Sequence, residues 1–146
     1  MLDGVLITEL KKFSDSRGKV MRMIDVNSSS FCGFGEMYFS CVYPKKVKAW
    51  HLHKVMTLNY AVPVGRIRLV LYDPRLDSPT YGEIQEIALG EENYFLVTVP
   101  PYIWNGFRGE GDQTSLVANC ASIVHEDDEI LRITSDHPSI PFNWFS

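Results

Sequence analysis
Turn-forming residues break this 146-residue chain about every ten positions, and no run between the breaks keeps a helical period beyond two turns. That spacing constrains the fold more than any other feature. Nine short runs read as strands: 5–7, 20–24, 37–42, 57–62, 65–72, 82–89, 94–99, 115–121 and 130–133. Ile67, Leu69 and Leu71 alternate with Arg66, Arg68 and Val70, the period of a strand with one face in a core. The only helical candidates are short: 28–34 or the acidic stretch 125–129. A chain of strands with no helix to cover a sheet packs sheet on sheet, so the expected class is all-β, an antiparallel sandwich or barrel. No linker, repeat or low-complexity stretch divides it, and residues 1–146 are expected to form a single domain.

Charge narrows the function. The net charge is −4, and the basic group Lys45-Lys46-Val47-Lys48 is too small to track a phosphate backbone, so no nucleic-acid partner is expected. No apolar stretch approaches the roughly 18 residues of a membrane span, and Met1-Leu2-Asp3-Gly4 lacks the basic and apolar regions of a signal peptide. Three cysteines without Cys-x-x-Cys spacing argue against a disulfide framework and a zinc ribbon. Cys41 and Cys120 are expected as small core residues of strands, in a chain expected to be cytoplasmic.

The segment Lys48-Ala49-Trp50-His51-Leu52-His53 carries the main question about chemistry. Two residues apart on a strand, His51 and His53 share one face. They either line a pocket, where one acts as a base, or pack inertly under rim loops, or hold a metal. The metal reading lacks its other ligands: Thr57 and Leu58 stand where a glutamate is needed, and Asn105 where a further histidine is needed. No metal and no other cofactor is therefore expected. Trp50, Tyr60, Tyr102, Trp104 and Phe107 are either core or stacking surfaces for a sugar or base, Tyr102 and Trp104 being the better candidates for ligand contact. His125, Glu110, Asp112 and the run Glu126-Asp127-Asp128-Glu129 read as solvated.

Four stretches, in order, resemble the dTDP-4-dehydrorhamnose 3,5-epimerase family. Phe13-Ser14-Asp15-Ser16-Arg17-Gly18 is similar to the family's F-x-D-x-R-G, and Lys48-Ala49-Trp50-His51 stands where the family has R-G-L-H. Gly65 is followed eight residues later by Asp73 and then by Ser78-Pro79-Thr80-Tyr81-Gly82, as in the family's glycine strand and S-P-T-F-G turn. Pro100-Pro101-Tyr102-Ile103-Trp104-Asn105-Gly106-Phe107 resembles P-P-G-F-A-H-G-F, and the ending from Pro138 to Trp144 resembles D-P-x-x-x-I-x-W. The resemblance implies a cupin-type antiparallel jelly-roll barrel and a homodimer that exchanges its N-terminal strand.

The resemblance also implies roles, residue by residue. The catalytic base falls on His51, and the phosphate-binding arginine becomes Lys48, still cationic but without the bidentate fork. An arginine that reaches into the neighbouring subunit falls on Arg17. The family's lysine falls on Leu58, its second histidine on Asn105 and its tyrosine acid on Ala118, so three working groups are replaced. The aspartate that orients the base falls on His137, with Asp136 one residue away. These carry-overs make His51, Asp136 and His137 the candidate catalytic residues, and Arg17, Lys48, His53, Tyr102, Trp104 and Asn105 the candidate substrate contacts. Arg66 or Arg68 is a further candidate for the diphosphate, which needs at least two cations.

With the acid and the lysine replaced, the double epimerisation of the family is not expected. The expected function is an epimerase or isomerase-like enzyme of deoxysugar or polysaccharide biosynthesis, acting on a nucleotide-diphosphate sugar by removing a proton alpha to a ketone. The alternative is a non-catalytic cupin that binds a nucleotide sugar.

Overall fold
The computed structural model describes residues 1–146. Its strands are β1 (Leu6–Glu9), β2 (Lys12–Asp15), β3 (Gly18–Met21), β4 (Glu36–Val42), β5 (Val47–His53), β6 (Leu58–Val64), β7 (Arg66–Tyr72), β8 (Ile84–Gly90), β9 (Phe95–Val99), β10 (Trp104–Glu110), β11 (Ser115–Ala121) and β12 (Ile130–Arg132). Two five-stranded sheets, β1-β9-β6-β11-β4 and β12-β5-β10-β7-β8, face each other as an antiparallel jelly-roll barrel. The β2–β3 hairpin forms a separate two-stranded sheet. The fold is all-β, as the spacing of the turns predicts.

Nine strands correspond to the nine apolar runs; β2, β5 and β10 are additional. Polar and glycine residues hide the last two: β5 carries Lys48, His51 and His53, and β10 carries Asn105, Gly106, Arg108 and Gly109. The run 20–24 ends as a strand at Met21, and Met23 and Ile24 instead pack with Ala61, Tyr94 and Leu96. Residues 28–34 are irregular apart from a turn at 29–30, whereas 125–129 contains one 3-10 turn at Asp127–Glu129.

The alternation in β7 is realised in three dimensions. Ile67, Leu69 and Leu71 point into the core shared by both sheets, together with Leu58, Val62, Leu89, Val97, Val99 and Val117. Val70 faces outward but is buried, because the C-terminal segment folds back over that face and packs Ile140 and Trp144 against Val70 and Trp50. The rings of Trp50 and Trp144 lie 5.0 Å apart. Arg68 and Arg108 clamp this segment, donating to the Trp144 carbonyl at 2.8 and 3.1 Å.

One of the sequence motifs has a structural use. The Asp73 carboxylate is fully buried at the end of β7 and accepts hydrogen bonds from Arg75 Nε, Ser78 Oγ and Thr80 Oγ1 at 2.8, 2.6 and 2.6 Å. Burial alone would raise its pKa, but these donors hold it well below the usual carboxylate range. The Ser78-Pro79-Thr80 turn is thereby stapled to the strand. Cys120 is buried as expected; Cys41 is exposed, because it points outward from β4 at the edge of its sheet. No helix is long and apolar enough to cross a membrane.

Candidate functional site
The two sheets enclose a cavity of about 430 Å³, within the ~300–1,000 Å³ range of small-molecule sites. β5 contributes Lys48, His51 and His53, β12 contributes Ile130 and Arg132, and β10 contributes Phe107. Glu36, Tyr38 and Ser40 of β4, Tyr60 of β6, and Val117 and Asn119 of β11 form the opposite wall, with His125 beside them.

Lys48 and His51 are three residues apart, so regular strand alternation would send them to opposite faces. A bulge brings both inside. Lys48 pairs with Phe107 and His51 with Asn105, so β5 spends one more residue than β10 between these two pairs. Gly106 makes room for the bulge: a Cβ there would lie 2.5 Å from Ala49 Cβ. Trp50, in the middle of the bulge, turns out to the Trp144 cluster.

Two rows of side chains face each other across the cavity. Pairing aligns Tyr38, Asn119 and Tyr60 in one sheet, and Asn105, His51 and Arg132 in the other. One hydrogen bond ties the rows together, from Tyr60 Oη to Asn105 Oδ1 at 2.9 Å. Asn105 Nδ2 in turn donates to the His51 carbonyl at 3.1 Å. With both ends of its amide engaged and its side chain buried, Asn105 positions β5.

The two histidines have different surroundings. His51 is half-buried and its ring has no protein hydrogen-bond partner. Burial lowers its pKa to about 4, with help from the neighbouring Arg132, His53 and Lys48, so the imidazole is neutral at neutral pH. His53 is buried and pairs with Glu129, Nδ1 to Oε1 at 2.6 Å. The backbone N–H groups of Val55 and Met56 donate to Glu129 Oε2 at 3.1 and 3.4 Å. Burial would raise the Glu129 pKa, but the bond from His53 and the backbone donors outweigh it and lower it. The carboxylate thus stays ionised and fixes the proton of His53 on Nδ1, leaving Nε2 without a protein partner. No group of three potential metal-ligating side chains converges in the molecule.

The other candidate residues lie elsewhere. Asp136 is exposed, and His137 Nδ1 accepts the Ser139 N–H at 3.1 Å; neither lines the cavity or bonds to His51. Trp104 packs in the outer cluster of Trp50 and Trp144, and Tyr102 is exposed on the loop before β10, its N–H donating to the His53 carbonyl at 2.7 Å. Arg17 sits in the β2–β3 turn, almost wholly exposed and paired with Asp15. Arg66 and Arg68 are not available to a ligand in the cavity. Strand alternation puts them on the outer face of β7, where Arg68 lies near Glu86 and Glu110 at 3.6 and 3.5 Å. Leu58 is core, and Ala118 faces away from the cavity while its neighbours Val117 and Asn119 face in.

Sequence reasoning missed Arg132, Glu129 and Tyr38. For Arg132 the signal was present, since residues 130 and 132 of a strand share a face. The alternation of Glu36, Tyr38 and Ser40 was legible in the same way. Glu129 had no signal: an acidic run reads as solvated, and only the 3-10 turn buries its last member while its other three residues stay exposed.

Comparison with known proteins identifies the family and the fold. The sequence model of the family described as dTDP-4-dehydrorhamnose 3,5-epimerase matches residues 1–146. The probable low-salt glycan biosynthesis epimerase Agl13 of Haloferax volcanii is 35% identical over 98% of this chain and 94% of its own length. The spore coat polysaccharide biosynthesis protein SpsL of Bacillus subtilis is 34% identical over 99% and 97%. Among solved structures, a dTDP sugar isomerase from Desulfovibrio desulfuricans superposes with a TM-score of 0.96 at 45% identity, covering 98% of this chain and 92% of that one. A dTDP-6-deoxy-D-glucose-3,5-epimerase from Legionella pneumophila, in complex with dTDP-4-keto-L-rhamnose, shares the fold at a TM-score of 0.86 and 21% identity, covering 98% and 79%.

Proposed function
The chain belongs to the dTDP-4-dehydrorhamnose 3,5-epimerase family, and from that membership we propose that it epimerises a nucleotide-diphosphate 4-keto sugar at a single carbon, with His51 as the base. The observation that carries the reading is a neutral imidazole in a cavity that two cations also line. Lys48 and Arg132 both line the cavity and both bear on His51. A diphosphate needs two cations, and this pair supplies them.

Proton removal alpha to the ketone leaves an enolate whose charge requires a donor or a cation. Leu58 cannot supply one; Asn105 spends its oxygen on Tyr60 and one of its two Nδ2 hydrogens on the His51 carbonyl, which leaves a single neutral N–H, a weaker support than the family's cation. Inversion at two carbons is therefore not part of the proposal. Asp136 and His137 lie outside the cavity, so they are not proposed as orienters; the buried His53–Glu129 pair stiffens the wall beside His51 instead. The names of the relatives from Haloferax volcanii and Bacillus subtilis support a role in glycan or polysaccharide biosynthesis.

The proposed assembly is a homodimer. Every residue of β2 and nearly all of β3 is exposed, Phe13 and Val20 among them, and Met37 and Phe39 of the edge strand β4 are exposed as well. A second copy would cover this apolar surface. It would also give Arg17 a partner's cavity to reach. The three free cysteines suit a reducing compartment, and the cytoplasm is the proposed location.

The second reading, a binding module without turnover, is favoured by the replacements at Leu58 and Asn105. One experiment separates the two. In deuterated water, wild-type protein acting on a dTDP-linked 4-keto-6-deoxyhexose should place deuterium on a carbon alpha to the ketone. His51→Asn should abolish the exchange while leaving binding within a few-fold. Binding without exchange in the wild type would establish the binding module.

A further inference from the structure
Across the cavity from His51, on the other sheet, stands a tyrosine whose hydroxyl hydrogen has no protein acceptor. Its hydrogen bonding follows from the wiring of Asn119. The Asn59 backbone N–H, which can only donate, bonds to Asn119 Oδ1 at 2.9 Å. That fixes the amide, so Asn119 Nδ2 must be the donor to Tyr38 Oη at 2.9 Å. Tyr38 accepts there, and its own O–H is left to donate into the cavity that it lines.

The two rows set the level of this hydroxyl. Tyr38 pairs with Asn119, which pairs with Tyr60, and the Tyr60–Asn105 hydrogen bond joins that row to Asn105, His51 and Arg132. Tyr38 and His51 therefore stand at corresponding heights on facing walls. With Tyr60 on Asn105, Asn119 comes opposite His51 and Tyr38 stands one strand beyond it, so a substrate carbon held between the walls would present one face to His51 and the other to Tyr38.

Building on the epimerase reading, we propose that Tyr38 is a catalytic residue, the acid that delivers a proton to the face opposite His51. His51 takes the proton alpha to the ketone, and the C–H electron pair becomes the enolate. The enolate then forms a new C–H bond with the Tyr38 hydroxyl proton on the other face, and its oxygen returns to a carbonyl. Imidazolium and tyrosinate remain, and exchange with water restores both. The Asn119 N–H is in place to stabilise the tyrosinate. Before the reaction, burial raises the Tyr38 pKa and keeps the hydroxyl protonated. The position that the family tyrosine was expected to occupy, Ala118, faces out of the cavity, so the donor comes from β4 and not from β11.

The test uses wild type and Tyr38→Phe, each with a dTDP-linked 4-keto-6-deoxyhexose in deuterated water, reading deuterium content and configuration by NMR. The variant removes one oxygen and should keep the melting temperature and dTDP affinity of the wild type. The expected result is exchange with inversion in the wild type and exchange with retention in Tyr38→Phe, because His51 can return a solvent deuteron only to its own face. Inversion should fall by about a hundred- to ten-thousandfold, the usual contribution of a positioned acid. Inversion at the wild-type rate in the variant would overturn the role of Tyr38 and leave the epimerase reading intact. Joint loss of exchange and inversion in the variant with dTDP affinity unchanged would do the same, whereas exchange without inversion in the wild type would overturn both the role of Tyr38 and the epimerisation and leave His51 as a base only. A wild type that neither exchanges nor inverts would overturn both.

Discussion

His53 Nδ1 lies 2.6 Å from Glu129 Oε1, a histidine–carboxylate pair buried in the cavity wall between β5 and the 3-10 turn before β12. The same carboxylate receives the N–H groups of Val55 and Met56, so one side chain closes the end of β5 and sets the tautomer of His53. Its removal leaves several buried donors without a partner, which costs more than the bonds themselves contribute.

Glu129→Ala should destabilise the protein by about 1–3 kcal/mol, the penalty of stranded buried donors. Urea unfolding at pH 7 measures it. The folded-state pKa of Glu129 is lowered, so the benefit of its charge is fully present above the ordinary value of 4.5 and is lost as pH falls through the folded value. The gap between wild type and variant should therefore narrow in acid. A gap that stays constant down to acid unfolding would mean that the carboxylate's charge contributes nothing.

The pH dependence of exchange reports on His51. Bound diphosphate offsets the charges of Lys48 and Arg132 that help to hold the His51 pKa down, so the limb in kcat should lie at higher pH than the limb in kcat/KM. Coincident limbs at an ordinary histidine value of about 6.5 would mean that another group is the base.

Nucleotide binding should depend on both cations of the cavity. Lys48→Ala and Arg132→Ala should each weaken dTDP by about 1–3 kcal/mol in calorimetric titration, the scale of a charge-assisted contact. Arg66→Ala, on the outer face, should leave the affinity unchanged. The reverse pattern would move the phosphate site to the outside of β7.

Light scattering at micromolar concentration should give twice the chain mass of 16.7 kDa. If Arg17 completes the partner's cavity, Arg17→Ala should weaken dTDP binding without changing the mass of the assembly. A monomer would leave Phe13, Val20, Met37 and Phe39 uncovered and remove that role.

Trp144→Ala should cost about 3–5 kcal/mol, the range for emptying an aromatic site in a core, read as a fall in the unfolding midpoint. Trp144 is buried where the C-terminal segment packs on the outer face of the sheet, its ring tilted against that of Trp50, whose neighbour in the chain is His51. The variant should therefore also loosen the bulge and lower dTDP affinity.

The class of the fold was legible because burial on one face imposes a period of two, and the pattern of Ile67, Leu69 and Leu71 records it directly. Strands were lost where polar residues and glycines replace apolar ones. β5 and β10 line the cavity, and their lysine, histidines, asparagine and glycines erase the alternation that marks a core strand. His51 and His53 were legible as a pair on one face. Lys48 was assigned through the family resemblance, since without the bulge its spacing from His51 points it the wrong way.

By itself, then, the sequence determined the all-β class, the inward face of each regular strand and the family, because each is set by the order of residues along one element. The cavity depended on distances between elements. Burial of Glu129 needs a 3-10 turn to fold under β5, and the exclusion of Arg66 and Arg68 needs a second sheet to define an outside. The facing of Tyr38 and His51 needs two sheets brought into register by the hydrogen bond between Tyr60 and Asn105, 45 residues apart in the chain. Such relations arise only when the sheets pack, since no local periodicity encodes which side chain on one wall will stand opposite which on the other.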